Sequence, residues 1–248
     1  MHVSSVARFC AVVAIMVGVV SGIGPVVPGA AQGATPVAGD VVLPPGEEVD
    51  GLGLGDWSAR SWQWFFSLPG DINPFSDETG ERCGYGQTGS IFFLAGAERD
   101  VERACVVPAD TYIFVPLIGS ECSTVETPPF FGRDEAELSQ CASDAVDMAE
   151  GALDMAAMGL EIDGEAVVDL SAYRTTTPLF RLWLPEDNVL GVEAGVAQSV
   201  ADGYQVMLGP LSEGEHEVTI TLPGPHAGDV VTITYRLTVA SGAPVEPA

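Results

Sequence analysis

The most regular alternation of apolar and polar positions lies toward the C-terminus. Val218, Ile220 and Leu222 alternate with Glu217, Thr219 and Thr221, and Val231, Ile233, Tyr235, Leu237 and Val239 alternate with Thr232, Thr234, Arg236 and Thr238. Successive side chains of a strand point to opposite faces, so each run buries one face and wets the other. Residues 223–229 join the two runs, too many for a two-residue turn. Upstream, short strand-like runs at 91–94, 105–107, 112–117, 179–184 and 204–208 are separated by turn signals. Runs at 160–162 and 165–170 flank Asp163-Gly164, a pair suited to a tight hairpin turn. This rhythm predicts a mainly β fold, an Ig-like or jelly-roll β-sandwich.

Two segments break the rhythm and predict helical insertions, at about 56–68 and 134–158. In the first, Asp56 offers an N-cap, and WSARSWQWFFSL continues until Pro69-Gly70 stops it. A helix apolar on most of its circumference is expected to plug against a sheet. Its alternative use is as a stacking platform for sugar rings, with Trp62 and Trp64 as the candidate rings. In the second, Leu138, Cys141, Ala145, Met148, Ala152 and Met155 recur at steps of three and four, which predicts a buried stripe. Asp134 and Glu137 supply a capping-box start, and Asp144, Asp147, Glu150 and Asp154 would face water.

These elements place a single β-sandwich domain at 51–240. Residues 32–50, mixed in Pro, Gly, Ala and acid, read as an extended linker, and 241–248 as a disordered tail. Residues 1–31 read as a signal peptide, with Arg8 ahead of the uncharged apolar run FCAVVAIMVGVV and small residues near Ala31 and Ala34 for cleavage. The rival reading is an uncleaved anchor, since the uncharged stretch could span the ~20 residues a bilayer requires. Either reading places the domain outside the cytoplasm, secreted or at the cell surface. Four cysteines follow the leader, Cys83, Cys105, Cys122 and Cys141, an even number that suits an oxidising compartment. Three pairings are open; Cys83 with Cys105 and Cys122 with Cys141 is favoured because each encloses one local excursion.

Charge narrows the partners. Thirty-five acidic residues against nine basic ones, all arginine, give a formal charge of −26. Phosphate binding depends on clustered positive charge, so nucleic acid is excluded, and an anionic membrane surface would repel the chain. A carbohydrate or a cationic protein partner remains compatible. Gly51-Leu52-Gly53-Leu54-Gly55 lacks the strand before it and the lysine after it that a phosphate loop needs. His216 and His226 would stand roughly 20 Å apart along one hairpin, too far to share zinc. The oxygen-rich segment after the aromatic helix opens like a calcium loop. Its pattern then fails, leaving Asp71, Asn73 and Asp77 as candidate ligands for a calcium cofactor, with Glu186-Asp187-Asn188 as a second candidate. No catalytic motif emerges, although acids are plentiful enough for a glycosidase-like carboxylate pair.

The run W-S-A-R-S-W-Q-W from Trp57, with Asn73-Pro74, Cys83, Gly86-Gln87, Phe93-Leu94-Ala95-Gly96, Cys105 to Pro108 and Pro116 to Cys122, resembles a group of exported bacterial proteins without assigned activity. They share a W-S-A-R-x-W-Q-W segment and a four-Cys framework. The resemblance covers 55–240 and implies an extracytoplasmic location and a compact β domain, but it carries over no functional residue. The expectation is therefore a secreted or cell-surface, non-enzymatic domain with a binding or structural role. Its alternatives are a carbohydrate-binding module or carboxylate-dependent hydrolase, and a calcium-dependent surface protein.

Overall fold

The computed structural model describes residues 41–242 apart from 225 and 227. The signal segment, most of the linker and positions 243–248 of the tail lie outside the described residues. The chain is a mainly β sandwich with two helical insertions. One sheet orders β1 (Ile91–Phe93), β3 (Tyr112–Ser123) and β8 (Gly195–Leu208), with β6 (Arg174–Thr176) and β7 (Phe180–Leu184) sharing the far edge of β8. The other orders β2 (Val101–Pro108), β10 (Val230–Ala240), β9 (Gly214–Pro223), β4 (Gly159–Ile162) and β5 (Glu165–Ala166). The terminal hairpin forms with the alternation expected, Ile233 opposite Ile220 and Tyr235 opposite Val218. Two pairings are parallel, β1 with β3 and β2 with β10. The sheets meet through Ile113, Val115, Val206 and Leu208 on one side and Val107, Ile220, Ile233 and Leu237 on the other.

Strand alternation sorts β8 into two faces. Ala197 and Ala201 look outward, where α1 (Leu54–Ser67) covers them with Ala59, Trp62 and Phe66. Val200 looks to the other side, where α2 (Glu135–Ala152) packs Leu138 and Ala142 against it, beside the second sheet. The helices thus lie on opposite faces of the same sheet, with β3 and β8 between them.

Several boundaries differ from the sequence expectation. β3 continues to Ser123 and β8 starts at Gly195, because Ser120, Glu121, Ser199 and Asp202 are strand residues despite their polarity. α1 is capped at Gly53, and Asp56 sits three residues inside, its Oδ2 accepting from the Gly53 N–H at 3.2 Å. α2 ends at Ala152, followed by a separate 3-10 turn at Met155–Ala157, so the single helix predicted to 158 is broken. Its buried stripe is Leu138, Ala142 and Val146, rotated from the predicted one, and Met148 is 62% exposed. Alanine, cysteine and methionine fit two adjacent stripes equally well; the branched Val146 selects the buried one. The linker also differs at its end: Val41 and Val49 enter the core, and the Leu43 N–H donates to the Met207 carbonyl at 2.9 Å. Both favoured disulfides form, Cys83–Cys105 and Cys122–Cys141. Among the described residues no helix is long and apolar enough to cross a membrane.

Candidate functional site

The loop 124–134 leaves the end of β3 and returns as the start of α2. Its two ends are closed by the Ser123 N–H donating to the Phe130 carbonyl at 3.1 Å and the Gly132 N–H donating to the Ser123 carbonyl at 3.4 Å. The Cys122–Cys141 bridge ties its base to the helix. Between loop and helix lies an open groove of ≈ 480 Å³, lined by Pro129, Phe130, Cys141, Asp144, Ala145, Asp147 and Met148. That volume falls within the range of ordinary binding clefts. The wall is apolar and the rim acidic. Gln140 donates to Asp144 at 2.7 Å, a neutral partner that leaves the carboxylate charge in place. Asp147 lies 2.7 Å from Arg174, which also holds Glu150 and the buried Asp202 at 2.7 Å each and so fixes the other flank of α2 on the sheet.

On the opposite face of the sheet, the same loop reaches a second cluster. Glu121 is only 7% exposed, and in the register of β3 with β8 it stands opposite Ala201, under α1. The Ser199 hydroxyl donates to Glu121, and the Ser123 hydroxyl donates to Glu126 at 3.0 Å. Burial pushes the Glu121 carboxyl well above the ordinary carboxylate range, and the charge of Glu126, together with a hydrogen bond between the two carboxyls, pushes it further. The Ser199 hydroxyl opposes the shift without cancelling it. Sequence pattern alone does not single this pair out, because its members come from a strand end and a loop five residues on. A lone acid inside a β-branched and apolar strand, such as Glu121 in YIFVPLIGSECS, was the available signal.

The residues singled out from sequence lie elsewhere. Trp64 is enclosed in the core, donating Nε1–H to the Tyr85 carbonyl at 2.8 Å and stacking on Phe93 at 5.7 Å, so it offers no surface for a sugar ring. Trp62 is half-buried, stacked on Phe66 at 5.6 Å. Asn73 and Asp77 spend their oxygens on their own loop rather than converging on an ion. Asn73 Oδ1 accepts from the Phe75 N–H, while Asp77 takes the N–H groups of Thr79, Gly80 and Arg82. Burial works against the Asp77 charge, but these three N–H donors outweigh it and hold the carboxyl below its usual range. Asp71 is exposed. Asn188 likewise closes its own turn, donating to the Pro185 and Val192 carbonyls. Among the described residues no three His, Cys, Asp or Glu side chains gather to hold a metal. His216 is buried, its Nδ1 at 2.8 Å from Asp163, a contact that braces the β4–β5 turn against β9. Compared with models of known protein families, with characterised proteins and with solved structures, the chain matches none.

Proposed function

We propose that the chain is an exported, non-enzymatic binding domain, and that its docking face is the groove between α2 and the loop 124–134. The observation that carries this reading is the groove itself, an apolar wall of Pro129, Phe130 and the exposed Met148 under a rim of Asp144 and Asp147. Export is supported by the apolar leader and by two disulfides, which persist outside the reducing cytoplasm. An apolar wall rewards burial of aliphatic side chains, and a rim on which Asp144 meets the neutral Gln140, while Asp147 is engaged by Arg174, draws cations and repels anions through Asp144 on a chain of charge −26. The occupant is accordingly a basic segment of another protein in which Arg or Lys alternates with aliphatic residues.

A fluorescein-labelled peptide of alternating Arg and Leu tests this by fluorescence anisotropy. Met148→Ala, neutral in charge, is expected to weaken binding about fivefold through lost apolar contact. Asp144→Asn is expected to weaken it about threefold, the worth of one partly exposed charge pair. Glu48→Gln, exposed and in the segment leading into α1, is the control and leaves the affinity unchanged. Equal losses from Asp144→Asn and Glu48→Gln, with none from Met148→Ala, would mean general attraction to an acidic surface and would sink the proposal.

A further inference from the structure

The bare end of one sheet carries a surface of the chemistry the groove accepts. β7 and β8 pair Arg181 with Gln198 and Trp183 with Val196. Alternation sends Phe180, Leu182, Leu184 and Ala197 to the α1 side, where they are buried. It sends Leu179 and Val200 to the α2 side, where they pack with Leu138 of the helix. Arg181, Trp183, Val196 and Gln198 share that second side but lie past the start of α2. All four are exposed, Trp183 by 55% and Val196 by 59%. We propose that the groove's partner is a second copy of this chain, which sets Arg181 and Trp183 of its β7 against Asp144 and Met148, and that the contact is made twice about a two-fold axis. This names the occupant of the docking groove and rests on that reading.

Charge singles out Arg181. The other described arginines reach carboxylates, carbonyls, a hydroxyl or, for Arg60, the Trp57 ring. Among the described residues no hydrogen bond or ion pair engages the Arg181 guanidinium, on a chain with 35 acids. An unpaired cation beside an exposed indole is complementary to an acid beside an exposed apolar side chain. The groove holds that pair: Asp144, whose described side-chain partner is the neutral Gln140, and Met148, 62% exposed. A thioether against an aromatic ring adds to the burial of both.

Spacing agrees with chemistry. Arg181 and Trp183 stand two residues apart on a strand, about 6.7 Å. Asp144 and Met148 stand four apart on one helix face, about 6 Å along the axis. A strand laid along the helix therefore brings Arg181 to Asp144 and Trp183 to Met148 together. Groove and patch are also neighbours. The Thr124 N–H, at the start of the loop, donates to the Gln198 carbonyl at 3.0 Å, and the Gln198 N–H donates to the Thr124 hydroxyl at 3.1 Å. Phe130 of the groove wall packs in the same cluster as Leu179. Donor and acceptor surfaces side by side on one face allow two copies to meet reciprocally, which closes the assembly at a dimer.

The charge of −26 on each copy opposes the approach at long range, and salt screens that repulsion more than it screens a close ion pair. The dimer is therefore expected to tighten as salt rises, whereas binding of the Arg-Leu peptide, an attraction of opposite charges, weakens.

Sedimentation velocity on the full chain purified after export, from about 1 to 300 μM, reads the monomer–dimer equilibrium. Every substitution falls in both contacts, so its single-site effect is squared. Met148→Ala is expected to weaken the dimer about 25-fold and Asp144→Asn about ninefold. Trp183→Ala removes the other side of the Met148 contact and is expected to match it. Arg181→Asp and Asp144→Arg each abolish the dimer, and the two in one chain, with the net charge back at its original value, restore it; a folding defect would not be rescued in this way. A monomer at every concentration and salt, with the Arg-Leu peptide still bound, assigns the groove to a foreign basic segment and overturns the second copy. A dimer weakened by Trp183→Ala but not by Met148→Ala means that Trp183 meets another surface, and overturns it too. A dimer that responds to both and to the charge exchange, with no Arg-Leu peptide bound, keeps the self-contact and removes the basic-segment reading.

Discussion

Arg103 illustrates how single residues hold the loops of this domain. It is 1% exposed on β2, and its guanidinium donates to the carbonyls of Phe75, Asp77, Ala95 and Gly96 and to the Tyr235 hydroxyl, at 2.6–3.2 Å. A buried cation costs several kcal/mol unless its donors are met, and here carbonyl dipoles rather than a carboxylate meet them. The five acceptors lie on the two loop segments around β1 and on β10, so one side chain joins three stretches of chain. Arg103→Met keeps much of the volume but strands buried carbonyls. We expect it to lower the unfolding free energy by about 3 kcal/mol or more, measured by urea denaturation. An unchanged midpoint would show that water replaces the guanidinium at little cost. The same local economy explains the calcium expectation. Asp71, Asn73 and Asp77 are spaced like ligands because a loop rich in Asx residues can close on its own N–H groups, and oxygen spacing in sequence does not distinguish the two uses.

At the scale of elements, the Cys122–Cys141 bridge couples the end of β3 to the first turns of α2 across 19 residues. Replacing both cysteines by serine is expected to cost about 3 kcal/mol, the loop-closure value for a span of this length, and to loosen the loop 124–134 selectively. Chemical denaturation gives the first quantity and exchange of the loop amides the second; a loss spread evenly over both sheets would contradict the local role. The strands with clean alternation, β9 and β10, and the Asp163-Gly164 hairpin were legible in sequence because one face is apolar and the turn residues are specific. The ends of β3 and β8 were not. Their positions under α1 there are Glu121, Ser123 and Ser199, buried polar groups of which Ser199 donates to Glu121 and Ser123 to Glu126, and a periodicity test reads such residues as solvent-facing. The groove was illegible for a related reason. Met148 fits a buried stripe by spacing, and only the rotation of α2 about Val146 turns it outward.

The whole molecule carries its acid excess on a compact scaffold, and that sets how it responds to salt. A net charge of −26 repels itself most when the chain is compact, so folding concentrates the repulsion that the unfolded chain spreads out. The described cations relieve it only locally: Arg174 among Asp147, Glu150 and Asp202, Arg236 between Glu102 and Glu217, Arg99 beside Glu78 and Arg133 beside Glu137. Salt shortens the screening length from about 30 Å at 0.01 M to about 3 Å at 1 M, a range that spans the separations between unpaired surface acids. The partly buried Arg174 network is screened less than those repulsions, so added salt removes more repulsion than attraction. The melting temperature is accordingly expected to rise steadily from low salt to about 1 M sodium chloride, most steeply at the low end where the screening length changes most. Potassium chloride, a salt of the same valence, should trace the same curve, because the effect belongs to ionic strength and not to a bound ion. A calorimetric scan series checks this directly. A melting temperature that fell with salt would mean that paired charges outweigh the unpaired ones, and the acidic surface would then need an account in which its cations organise it.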